Sequence, residues 1–187
     1  MTDQQIDWRH LAEVLGTITW TESGHNELGG EKVARDALTR FVGDNALREA
    51  VDLYVTFAPG FELARSVLRL LKPTAAMVRC RQIFRESDNE EQAASAIELL
   101  RFIADKRVLD WVPEFLASDN RSVKIWGIGV IDQLWMDGEI DPGEGWDLLD
   151  EALSDPDPII RENAQRIFEM WNADRPSDNE DRGAPKD

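Results

Sequence analysis

A single cysteine, Cys80, among 187 residues excludes an internal disulfide, and only two histidines, His10 and His25, are available for imidazole chemistry. Basic residues are outnumbered, with 21 Lys and Arg against 37 Asp and Glu, a net charge of -16. A surface of that sign repels nucleic-acid phosphates and anionic lipid, and speeds encounter with a basic partner at low salt. No stretch approaches the roughly 18 apolar residues needed to cross a bilayer. The opening MTDQQIDWRH lacks the basic start and apolar run of a standard secretion signal. A cytoplasmic protein is therefore expected, in keeping with the low cysteine content. Glycine patterns of the phosphate-cradling kind precede no helix, so neither a P-loop nor a dinucleotide fingerprint is predicted.

What is present suffices to build a core, with 42% hydrophobic and 31% charged residues. Apolar residues recur at helical spacing almost throughout, and β alternation bounded by turn residues is hard to find. Trp8, Leu11, Ala12 and Leu15 make a first stripe, followed by a predicted loop, TESGHNELGG. Val33, Ala34, Ala37, Leu38, Phe41 and Val42 form an i, i+3, i+4, i+7 series. Asp44 is the expected N-cap of a helix through Leu47, Val51 and Tyr54, which Pro59 and Gly60 end before Leu63, Ala64, Val67 and Leu68 open another. Pro73 fits the first turn of a further helix lined by Ala76, Cys80, Ile83 and Phe84.

The C-terminal half repeats itself. At a shift of 37 residues, Val112 falls on Leu149, Leu116 on Leu153, Val123 on Ile160, Lys124 on Arg161, Gly127 on Ala164 and Leu134 on Trp171. Moving back 31 residues, Asn120 falls on Asn89, Gly127 on Ala96, and Leu134 on Ile103. Three units with one pattern define an array in which neighbours bury the apolar face that each cannot bury alone. The expected organisation is one helical-repeat domain over residues 1–171, clearest at 73–105, 106–136 and 137–171. A polar, disordered acidic tail is expected over 172–187, where five acids against three bases leave -14 on the body.

The run SDPDPIIRENAQRIFEMW resembles the turn and second helix of a HEAT repeat: an Asp/Pro turn, an aliphatic residue followed by Arg, a small residue three positions on, then further aliphatics. SDNRSVKIWGIGVIDQLW is a looser version, with Lys124 in the Arg position and Gly127 in the small one. The resemblance covers residues about 106–171 well and 73–105 less closely. It implies an all-α fold, a right-handed α-α superhelix or short solenoid of stacked antiparallel helix pairs, and by itself no activity.

Chemistry has few candidates. His25, between Glu22 and Glu27, matches no established metal spacing and reads as a surface loop, so no metal or other cofactor is predicted. Cys80 lies on an apolar stripe, where a thiol behaves as a small hydrophobe. Asp137, Glu139 and Asp141 have calcium-loop spacing, but Pro142 replaces the required glycine and Leu148 the final Glu. HEAT-like DNA glycosylases are the enzyme alternative, but they need a basic groove that a charge of -16 does not supply.

Protein recognition remains. With Val123, Gly127, Val130 and Leu134 on one face of a helix, Ile125 and Asp132 project nearly opposite, and the repeat match pairs them with Glu162 and Glu169. The HEAT resemblance would place these second-helix positions in a concave groove. Trp126 and Trp135 border the buried stripe, either as interface anchors or as fillers between repeats. Glu98 lies on the preceding unit, where Arg101 breaks the acidic pattern at the position matching Asp132. In composition and size the chain is similar to small acidic bacterial immunity proteins that mask nuclease-type toxins. The expected function is non-catalytic binding of a basic protein.

Overall fold

The structure, a computed structural model, describes residues 6–141 and 143–172. Ten α-helices, one 3-10 turn and a two-stranded hairpin lie among them, so the fold is all-α. Four elements come first: α1 (Trp8–Leu15), β1 (Ile18–Thr21), β2 (Gly24–Glu27) and α2 (Glu31–Val42). Helix pairs joined by short turns follow: α3 (Asp44–Val55) with α4 (Phe61–Leu71), then α5 (Thr74–Glu86) with α6 (Glu90–Ile103). A 3-10 turn (Lys106–Trp111) runs into α7 (Val112–Leu116), which pairs with α8 (Arg121–Met136), and α9 (Trp146–Leu153) pairs with α10 (Pro158–Trp171). No described helix is long and apolar enough to cross a membrane.

The second helices α6, α8 and α10 start at Glu90, Arg121 and Pro158, 31 and 37 residues apart, the same two shifts that align the sequence. The reason is local. Asn89, Asn120 and Asp157 occupy equivalent N-cap positions, and each side chain accepts from one or two backbone N–H groups of the first turn. Asn120 also donates through Nδ2 to the Glu90 carbonyl at 3.1 Å, and Arg121 reaches the Asp157 carboxylate at 2.6 Å. Neighbouring units are thus held in register at their helix starts.

The small position of each unit is explained by close approach. Ala96, Gly127 and Ala164 are buried, and a methyl group added at Gly127 would stand 3.0 Å from Phe115 Cβ on α7. One continuous core runs from Leu47 to Ile167, with α8 at its centre packed against α6, α7, α9 and α10. Burial of that kind is the main driving force for stacking. No described residue before Leu47 is buried.

Several local expectations are corrected. The predicted loop is instead largely a hairpin pairing Ile18 with Glu27 and Trp20 with His25, because Ile18, Thr19 and Thr21 are β-branched, Trp20 is aromatic, and Gly24 takes a φ of 149° after the turn. Gly43, with φ 82°, holds the cap position expected of Asp44, which is the first residue of α3. Pro73 lies one residue outside the helix it was expected to open; α5 starts at Thr74, and the Pro73 carbonyl accepts from Ala76 and Met77. The expected tail lies outside the described residues except for Asn172.

Candidate functional site

The second-helix residues picked from the sequence separate into four groups. Trp135 is buried at 6% exposure, its indole N–H donating to the Glu144 carbonyl at 3.0 Å, with Trp146 and Trp171 at centroid distances of 4.8 and 5.7 Å. It is a core residue and not a surface anchor, because α9 and α10 close over that end of α8. Ile125 and Asp132 are half-buried, contrary to an outward face: Ile125 packs against the core, and Asp132 accepts from the Trp171 indole at 2.9 Å. An α8 flanked on both sides by neighbours has no fully free face. Glu162 and Glu169 are exposed on α10, the latter held by Gln165 at 2.9 Å.

Glu98 and Trp126 lie on neighbouring helices at a more structured surface. A shallow groove of about 370 Å³ crosses the starts of α6 and α8, lined by Phe57, Glu90, Glu91, Ser95, Ser122 and Trp126. Phe57 overhangs it from the end of α3 with 57% exposure and a φ of 51°. That left-handed backbone is strained for a bulky side chain. Its ring sits in an aromatic group with Tyr54 and Phe61, at 6.3 and 5.7 Å. Glu98, two turns after Glu91 on α6, accepts from the Tyr54 hydroxyl at 3.1 Å. Burial, reinforced by the Glu98 carboxylate, pushes the Tyr54 phenol well above its ordinary value, so Tyr54 donates.

One turn beyond Glu98, Arg101 crosses toward α8. Its guanidinium carbon lies 5.6 Å from the Trp126 ring centroid and 5.7 Å from that of Phe102, and its chain passes Gly129, where an added methyl would meet Arg101 Cδ at 3.1 Å. Arg65 of α4 also stands over the Phe102 ring, at 4.7 Å. The surface can therefore offer aromatic area, carboxylates and one guanidinium, which suits docking of a polar macromolecule.

A second cleft, about 460 Å³, collects Lys32, Arg35, Lys72, Lys106 and Arg107 where helix ends meet. Its cations are largely committed internally. Lys72 Nζ donates to Ala104 O and to Glu139, at 2.7 and 2.6 Å, while Arg107 donates to Thr74, to the Lys72 carbonyl and to Asp105. Glu139, from the calcium-like spacing, thus serves a lysine. No group of three or more His, Cys, Asp or Glu among the described residues is arranged to hold a metal ion.

Nothing in the sequence pattern distinguishes Phe57, and Arg101 registers there only as a break in the acidic pattern. The available signal was the second glycine of WGIG, placed mid-helix where it costs stability unless something crosses close by. In comparisons with protein-family models, with curated proteins and with solved structures, the chain matches none.

Proposed function

We propose that this chain is a non-catalytic binding protein that docks a basic protein on the groove across α6 and α8. The carrying observation is that groove itself. Phe57 and Trp126 present apolar area, and Glu90 and Glu91 rim it with no cation pairing either carboxylate among the described residues. The body's excess of acids gives the same sign at long range, which favours fast encounter with a basic surface and specificity against acidic ones.

The units are read as HEAT-like. Supporting this are the in-register caps, the small residue in each second helix, and the Lys124 and Arg161 pair, both of which fasten the 154–157 turn: Lys124 binds the Asp155 carboxylate at 2.6 Å and Arg161 the Asp155 carbonyl at 2.7 Å. Stacked pairs of this type work mainly as extended docking surfaces. Within that reading, an immunity protein masking a basic toxin domain is the specific proposal, and a cytoplasmic location goes with it.

The test is affinity purification with the tagged chain at low and at high salt, using wild type and the W126A/E90Q/E91Q variant. A basic protein should be recovered by the wild type at low salt, released as salt rises, and lost in the variant. Recovery that ignores both salt and the variant would overturn the assignment of this face.

A further inference from the structure

Arg101 stands apart from the other cations of the chain. Each remaining described Lys or Arg is either paired with a carboxylate or exposed, whereas Arg101 is partly buried and carries no hydrogen bond or ion pair among the described residues. Its Nε is buried without an acceptor, and its terminal nitrogens, which are not fully buried and make no hydrogen bond among the described residues, are the donors within reach of a partner. The head is nevertheless well fixed, by the Trp126 and Phe102 rings and by the notch at Gly129. Equivalent positions on α8 and α10 carry Asp132 and Glu169, so this unit alone places a cation there.

We infer that Arg101 is a socket for a carboxylate of the bound protein, set within an otherwise acidic docking face. This rests on the protein-binding reading above and adds a contact beside the groove, next to its Trp126 wall. A guanidinium presents N–H groups in a planar fork that fits a carboxylate, and ring stacking holds that plane without consuming the donors. Charge decides the class of anion. Glu90, Glu91 and Glu98 stand along the same helix, and their field opposes a dianionic phosphate more than a single carboxylate. The same carboxylates favour Lys or Arg on either side of the incoming acid, so the recognised element is an acidic residue flanked by bases. An acidic patch alone would admit any basic surface. A single cationic socket inside it selects among them.

The measurement is fluorescence anisotropy of the full chain with end-blocked, labelled peptides KKAEAKK and KKAQAKK, plus a phosphoserine version. The Glu peptide should bind about tenfold more tightly than the Gln peptide, the increment of one charge-assisted contact. In R101Q that preference should vanish and the Gln peptide should bind at least as tightly as to wild type, because a cation facing its lysines is gone, with an unchanged helical circular dichroism spectrum. G129A, which keeps the arginine but crowds its path, should reduce the preference without abolishing folding. Equal binding of Glu and Gln peptides to wild type, or a preference surviving in R101Q, would overturn the socket while leaving the acidic docking face intact. Tighter binding of the phosphoserine peptide would also overturn it, in favour of phosphate. If neither unphosphorylated peptide binds, the docking face itself fails.

Discussion

The ammonium of Lys72 donates at 2.7 Å to the carbonyl oxygen of Ala104, and both residues cap helices in the left-handed conformation, at φ 46° and 47°. One lysine thereby satisfies a carbonyl at the end of the next helix pair while its second bond reaches Glu139 two helix pairs along. With a side chain only 15% exposed, it holds three helix ends together.

Replacing Lys72 by Met should therefore cost about 1.5–3 kcal/mol, the range for hydrogen bonds to a charged donor. K72G loses the same bonds but relieves the left-handed backbone, and should be about 1 kcal/mol more stable than K72M. Urea unfolding with an unchanged m-value reads both; equal stabilities would mean that the backbone there carries no strain.

Two glycines of α8 should respond differently to alanine. G127A drives a methyl against Phe115 Cβ, an atom fixed close to the backbone of α7, and should cost about 1–3 kcal/mol through overpacking. G129A meets the flexible chain of Arg101, and the gain of about 1 kcal/mol in helix propensity offsets the displacement. Thermal melts of the two variants should separate clearly, with G127A lower.

Four carboxylates tie stability to pH. Hydrogen bonds from Arg85, then Arg81, hold Glu114 below the usual range, and the Ile159 N–H, then Arg121, do so for Asp157. Burial raises Asp105 and Asp155, but bonds from Arg107 and Lys124 outweigh it and leave both lowered. Their folded values lie below the unfolded ones, so their contribution is complete above about pH 4.5 and fades as pH falls through the folded values. Relief of self-repulsion works the other way between neutrality and the pI of 4.5, so stability should peak between that value and neutrality. Urea midpoints from pH 2.5 to 7 test this, and E114Q should flatten the acid limb.

Cys80 is fully enclosed in α5, and burial pushes its thiol far above the ordinary range, so the thiolate is scarce. Ellman's reagent should react with native protein only at the rate of unfolding and promptly in denaturant. Prompt native labelling would show that α5 opens locally.

The starts of α6, α8 and α10 were legible because they rest on short-range chemistry. An Asn or Asp cap followed by a small residue seven positions later fixes where each second helix starts and where its partner crosses, and both are visible in one dimension. Ile125 and Asp132 were misplaced for a different reason. A helical wheel of α8 assumes one buried face, and only the stacking of α10 on its other side decides that Asp132 meets Trp171. Arg101 was visible as an exception to the acidic pattern, but its stacking on Trp126 depends on the spacing between α6 and α8.

The absence of any buried residue before Leu47 among the described residues sets a hierarchy of opening. Amide protons of α1, the hairpin and α2 can exchange with solvent through partial detachment, at a small fraction of the global unfolding free energy. Those of α6 and α8 must wait for the whole array to come apart. Residues 6–46 thus form a separately releasable edge, and ligand binding on α6 and α8 should slow exchange in the body while leaving that edge nearly unprotected.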